Sequence, residues 1–285
     1  MKFYDFNNLP KEEAAKHLNT CCGSTQWLKM MMQRFPFSTP HDMLQCANEV
    51  WYQKCGVNDW LEAFLHHPEI GNLNSLREKF NVSHHLASAE QAAMQSASDN
   101  VLLQLAEKNK EYKKKFGFIF IVFATGKDPE EMLDLLKHRI NNSREDEMQV
   151  AMGEQQKITF QRLKGIVEDF ELPQSQLTTH VLDTSLGKPA QKLFVQLYHE
   201  QGNDKKAIAS GLTNHDGRVP NLLPAGRILT AGEYTLRFEV NQYYNELNLQ
   251  CFYPYVEISF LLKNQLHYHV PLLLNPFGYS TYRGS

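Results

Sequence analysis

The sequence predicts two domains of different class, an all-α half followed by an all-β half. Up to about residue 165 apolar residues recur at three- and four-residue spacing, and from residue 177 onward the period falls to two. Between them FELPQSQ, residues 170–176, sets a proline among polar side chains, which suits a linker. A chain of 285 residues has room for two ordinary domains. The expected bounds are 1–168 for the helical domain, 169–176 for the linker and 177–285 for the β domain.

In the first half, DMLQCANEVWYQ (42–53), NVLLQLAEKNKEYKKKFG (100–117) and EEMLDLLKHRINN (130–142) each place apolar residues on one helical face. Glycines and prolines fall mostly between such segments. The run KKFGFIFIVFATGK (114–127) is aromatic-rich and apolar, and on pattern alone it reads as a buried strand or core helix. In WLEAFLHHPEIGN (60–72), Trp60, Phe64 and His67 share a helical face, and Pro68 disfavours helix at His67. That spacing predicts His67 at a helix C-terminus, as a cap whose positive charge the helix dipole favours. In the second half, LFVQLYHE (193–200), EYTLRFEV (233–240) and YVEISFLL (255–262) alternate as half-buried strands do, separated by turn signals such as NHDGR (214–218).

Charge and composition narrow the function classes. Lys and Arg number 29 against 32 Asp and Glu, so no basic excess argues for nucleic acid, and a small molecule is the expected partner. No run of eighteen apolar residues predicts a membrane span, and the N-terminal MKFYDFNNLPKEEA lacks the apolar core of a secretory signal. With no SKL-type ending either, the expected setting is cytoplasmic. The five cysteines lack CxxC spacing, and they read as free thiols and not as a zinc site. No metal and no cofactor are expected.

The last nineteen residues, HYHVPLLLNPFGYSTYRGS, concentrate polar chemistry on a strand. If that strand is extended, His267 and His269 point to one face and Tyr268 to the other. Together with LTTHVLDTSLGKPA (177–190), TNHDGRVPNL (213–222) and the terminal YRGS, this segment resembles the 5-hydroxyisourate hydrolase family, the transthyretin-related proteins. Transthyretin itself lacks the YRGS tetrapeptide, so the resemblance is to the enzyme. It implies a transthyretin-like β-sandwich with a hydrolytic site at His180, Arg218, His269 and Ser285, lined by Tyr282, with His267 secondary. The imidazoles would activate water and Arg218 would hold the substrate's oxygens.

In the helical half, HHPEIG, AEQ (89–91), the apolar run and RL (162–163) together resemble the 2-oxo-4-hydroxy-4-carboxy-5-ureidoimidazoline (OHCU) decarboxylases. The resemblance implies an all-helical fold with His67 as the catalytic histidine and Pro68 beside it. Glu90 and Gln91 would hydrogen-bond substrate, the backbone of Phe120, Ile121, Val122, Phe123 and Ala124 would read its ring, and Arg162 would sit near its polar groups. The family often has a serine three positions before the glutamate. This chain has Ala87 there, with Ser88 next to it.

The two resemblances imply a bifunctional enzyme of urate degradation, taking 5-hydroxyisourate to OHCU and OHCU to S-allantoin. They also imply a homo-oligomer, a tetramer through the β domain with dimer contacts through the helical one. Two alternatives stand beside this: only the C-terminal hydrolase is active, or the chain is a transthyretin-like binder of small ligands. His180, Arg218, His269 and YRGS discriminate against the last, since an apolar carrier channel has no use for them.

Overall fold

The computed structural model describes residues 1–67, 88–169, 171–202, 204–263 and 267–284, and for 88–99 and 201 the backbone alone. The helical half contains α1 (Phe3–Asn7), α2 (Lys11–Cys21), α3 (Thr25–Arg34), α4 (Pro40–Glu49), α5 (Val57–Leu65), α6 (Ser88–Phe116), α7 (Pro129–Arg139) and α8 (Arg144–Ile166). Short polar side chains start these helices as the sequence dictates. Ser24, Thr39 and Ser143 accept from the third amide of α3, α4 and α8, and Asp128 and Glu131 form a reciprocal capping box on α7 behind Pro129. The expected helix over 42–53 changes winding at Val50, where five residues, Val50–Lys54, continue as a π-turn.

Helix α8 is the axis of this half. It is buried on several faces, and besides apolar residues it buries Glu147, Glu154, Gln155, Gln156 and Thr159. Buried polar groups need partners, and the run after α6 supplies many of them. Residues 119–124 form neither strand nor helix, contrary to the pattern-based reading of a buried strand or core helix. An apolar segment without secondary structure leaves its amides and carbonyls to be met by side chains. Asn109 Oδ1 accepts from the Phe120 amide at 3.2 Å, and Glu154 Oε2 from that of Phe123 at 2.7 Å. Arg139 donates to the Ile121 carbonyl at 2.9 Å, and Lys127 to that of Phe123 at 2.8 Å. Arg139 also lies against the Phe120 ring, with its charge met by the buried carboxylate of Glu147 at 2.5 Å.

The second half is a sandwich of two four-stranded sheets. Strands β1 (Leu177–Asp183), β2 (Lys188–Pro189), β7 (Tyr268–Asn275) and β8 (Gly278–Thr281) form one sheet in the order β2-β1-β7-β8. Strands β3 (Phe194–Gln201), β4 (Asp204–Leu212), β5 (Gly232–Phe238) and β6 (Val256–Leu262) form the other in the order β4-β3-β5-β6. Alternation buries Leu177, Thr179, Val181 and Asp183 and turns Thr178, His180 and Leu182 outward. One helix, α9 (Val240–Glu246), interrupts the β half where the alternating EYTLRFEV pattern ends.

The halves are joined by more than the linker. Phe194 and Leu212 of the sandwich bury themselves in the helical core. Asp146 of α8 accepts from the Ala207 amide of β4 at 2.9 Å, so a helix-side carboxylate covers part of that edge strand. His138 of α7 stacks on Phe194 at 3.8 Å, and burial pushes that imidazole down to about 4, keeping it neutral.

Candidate active sites

In the helical half, α5 ends at Leu65 and its C-cap is His66, one residue before the expected cap. The His67 amide still bonds the Phe64 carbonyl at 3.2 Å, but its ring turns to α8. Gln155 Oε1 lies 2.6 Å from His67 Nε2. An amide oxygen only accepts, so Nε2 carries the hydrogen and Nδ1 is left as the ring's other nitrogen. Gln155 is fixed in turn by its own amide donating to Thr159 Oγ1 at 3.2 Å, while Thr159 donates to the Gln155 carbonyl. Gln155 and Thr159 are both fully buried. Arg162, seven residues beyond Gln155 on the same helical face, donates to the carbonyls of Thr20 and Cys21 at the end of α2. The orphan carbonyls of a helix terminus hold one edge of its planar fork in place. Gly23 passes so close to His66 that any side chain there would overlap the ring.

The sequence pointed to His67, Arg162 and the 120–124 run, and it missed Gln155 and Thr159. Their 155, 159, 162 spacing on α8 was the available signal. Pro68 and Ala87 lie outside the described residues, and for Ser88, Glu90 and Gln91 only the backbone, at the start of α6, is described.

In the sandwich, β1 and β7 run parallel with Thr178 opposite His269 and His180 opposite Pro271. This register sets His180 and His269 on the same outward face. Thr178 Oγ1 meets His269 Nδ1 at 2.9 Å and His267 Nε2 at 3.0 Å, while Tyr268 is buried on the other side, as alternation requires. Two backbone segments then close on the histidines, with Arg218 bridged to His180 and Gly284 to His269. Asn214 folds the first segment by accepting from the amides of Asp216 and Arg218 at 3.0 Å each. Gly217 has a φ of 71°, and a side chain there would overlap the Val181 carbonyl. A side chain at Gly284 would overlap the His269 ring. The glycines of NHDGR and YRGS are thus the points where backbone meets imidazole.

Burial lowers the His180 pKa from its ordinary value, and the nearby Arg218 cation adds to the shift. For His269 the causes are burial, then Arg218, then the other two histidines. Both rings are therefore held toward the neutral form that can accept a proton. Arg218 and Tyr282 are exposed, and Arg283 lies over the Tyr268 ring. Ser285 lies outside the described residues.

Comparison with known proteins assigns both halves. Residues 7–164 match the OHCU decarboxylase family model, and residues 177–284 match that of the HIUase/Transthyretin family. The chain is 34% identical, over 93% of its length and 96% of the relative's, to the Uric acid degradation bifunctional protein TTL of Arabidopsis thaliana. The chain belongs to this bifunctional OHCU decarboxylase and HIUase/transthyretin family. Its C-terminal half is 46% identical to a 5-hydroxyisourate hydrolase of Mesorhizobium japonicum, covering 39% of this chain and 92% of that one. A crystal structure of (S)-allantoin synthase aligns over 100% of both chains at 25% identity with a TM-score of 0.46.

The two clusters lie in different halves of the chain. The cluster in the helical half is an imidazole with one nitrogen fixed by a buried amide, with Arg162 on the same face of α8 as that amide. The cluster in the sandwich is a pair of outward imidazoles beside an arginine, on an outward sheet face. Among the described residues no group of three His, Cys, Asp or Glu is arranged to hold a metal, and no described helix is long and apolar enough to cross a membrane.

Proposed function

We propose that this chain carries out two consecutive steps of urate degradation, making it an allantoin synthase. The C-terminal domain hydrolyses 5-hydroxyisourate to OHCU, and the helical domain decarboxylates OHCU to S-allantoin. The observation that carries the reading is the convergence of His180, His269 and Arg218 on one sheet face in a chain whose other half holds a separately oriented His67.

In the first step water adds to a ring amide carbonyl, the C–N bond breaks, and the leaving nitrogen takes a proton. His180 and His269, biased to the neutral form, act as the base that draws the proton from water. Arg218 holds the developing oxyanion or the purine oxygens, and Ser285 and Tyr282 complete the pocket. A covalent serine route is disfavoured, because a nucleophilic serine needs a base and an orienting third group fixed around it.

In the second step the bond between C4 and the carboxylate breaks, carbon dioxide leaves, and the bonding pair passes into the adjacent ring C=N, whose nitrogen takes a proton; C5 is then protonated as the 4-hydroxyl gives up its proton and becomes the carbonyl of allantoin. His67 polarises the substrate and Arg162 and the 120–124 backbone fix it, with Pro68, Ala87, Ser88, Glu90 and Gln91 assigned to substrate binding by the family resemblance. Protonation on one face gives the S product. No metal or organic cofactor is invoked, because the ring C=N next to the breaking bond is itself the electron sink.

The reading extends to a homo-oligomer working in the cytoplasm, a tetramer through the sandwich with further dimer contacts through the helical half. The open sheet face, with Phe277, Tyr279 and Tyr282 exposed beside it, supports a subunit contact there. Light scattering at low micromolar concentration tests the assembly, and a monomer would overturn it. To test the activities, 5-hydroxyisourate made from urate by a separate oxidase is given to the protein while ultraviolet absorbance and circular dichroism are followed. Rapid loss of both intermediates with persistent S-allantoin dichroism is the expected result. OHCU accumulating and decaying to racemic product would leave only the hydrolase.

A further inference from the structure

A cavity of about 190 Å³ lies between the two domains, and no histidine of either cluster lines it. Its walls come from the 123–127 loop, α7, α8, β4 and the 214–221 loop. Leu135, Leu212 and Val219 supply apolar surface, and charged side chains close it. The Lys157 ammonium is buried and paired with the buried carboxylate of Glu154. Lys127 spends one of its three N–H donors on the Phe123 carbonyl. Ser210, only 5% exposed, has a buried hydroxyl that meets no hydrogen-bond partner in the protein. An orphaned buried hydroxyl costs free energy unless something else satisfies it. Asn221, at the cavity wall, holds a left-handed φ of 52°, a strained conformation of the kind that gathers at ligand sites.

We propose that this interdomain cavity binds a small organic carboxylate between Lys127, Lys157 and Ser210. These groups leave donors in excess of acceptors, and a carboxylate, with two oxygens and only acceptor capacity, matches such an excess. Burial, together with Lys127 and Arg139 nearby, opposes the charge on Lys157, while Glu154 favours it. A bound anion adds a second favourable partner. The loops involved are also those of the two candidate sites, since the 120–124 backbone continues into 125–127 and Arg218 lies between Asn214 and Val219. The ligand is therefore either the carboxylate-bearing product of the first step, in which case this inference rests on the function proposed above, or an unrelated small carboxylate.

The probe is N-carbamoylglycine, a stable ureido carboxylate, titrated into the full chain by calorimetry and thermal shift. Saturable binding is expected in the wild type and in His67→Ala and Arg218→Met, weakened tenfold or more by Lys127→Met and by Ser210→Ala. Without ligand, Ser210→Ala should melt at or above the wild-type temperature, since it removes an unsatisfied group. Absence of saturable binding in the wild type, binding unchanged by both cavity variants, or binding abolished by His67→Ala or Arg218→Met would each overturn the proposal. The source is then read from the coupled reaction. If both variants run each step at wild-type rate but lose enantiomeric excess when started from 5-hydroxyisourate, the ligand is the intermediate in transit. Undiminished excess with lost probe binding makes it a separate carboxylate. A wild type inactive in both steps would overturn the function proposed above and leave the probe result standing.

Discussion

Gln155 Oε1 stands 2.6 Å from His67 Nε2, and so a residue on the long central helix decides which nitrogen of a histidine 88 positions earlier carries the hydrogen. The amide is itself locked by Thr159. Replacing Gln155 by Leu should leave the fold in place and lower decarboxylation by about tenfold to a hundredfold, through loss of the fixed tautomer. Gln155→Glu should instead retain the ring's orientation and, by favouring imidazolium, move the pH profile of this step upward. Dichroism of S-allantoin formed from supplied OHCU measures both. An unchanged profile in Gln155→Glu would remove Gln155 from the mechanism.

His67→Ala should abolish enantiomeric excess and spare 5-hydroxyisourate loss, while His269→Ala should slow hydrolysis and spare decarboxylation of supplied OHCU. Both readouts come from one dichroism trace per variant.

The hydrolase should keep its activity at pH values below the ordinary histidine range. His180 and His269 are both lowered, by burial first and by Arg218 next, so their neutral, proton-accepting forms persist as pH falls. Arg218→Met removes a positive charge that disfavours imidazolium, so the acid limb of kcat/KM should move to higher pH as the rate falls. A limb that stays in place would separate Arg218 from the imidazoles.

Gly284→Ala and Gly217→Ala should each cost the hydrolase tenfold or more. One would push a methyl into the His269 ring, and the other would meet the Val181 carbonyl at a left-handed φ. Neither touches the helical half, so decarboxylation of supplied OHCU serves as the internal control.

Arg139→Met should destabilise the helical half by about 3–5 kcal/mol, because it removes the counter-charge of the buried Glu147 carboxylate, leaving it only the neutral donors Tyr112 and Asn142, and frees the Ile121 carbonyl. Thermal inactivation should then remove decarboxylase activity before hydrolase activity. Simultaneous loss would mean that the domains unfold as one unit.

The motifs of the second half were legible because each is a local backbone device. HVP places a histidine on an alternating strand, NHDGR is a turn built by Asn214, and the Gly284 of YRGS admits the His269 ring. Thr178 was missed, although it lies two residues before His180 on the same outward face, because nothing local marks a threonine that bridges to another strand. The apolar run at 119–124 was misread for a related reason. Its composition is that of a strand or helix, yet its hydrogen bonds are made to Asn109, Arg139, Glu154 and Lys127. His67 lay near a helix end as its spacing with Pro68 predicted, but the cap itself was His66.

By itself the sequence determined the helical and β halves and marked the change of period between them. Periodicity, capping side chains and turn glycines act within a few residues of their own position, and they can be read in one dimension. Only the tertiary structure decided that Gln155 reaches His67, that parallel pairing of β1 with β7 sets Thr178 between two histidines, and that Lys127, Lys157 and Ser210 meet between the domains. The first and last of those meetings depend on the packing of α8 against α5 and β4, and the second on the pairing of β1 with β7; contacts of such long range are fixed by the burial of whole faces.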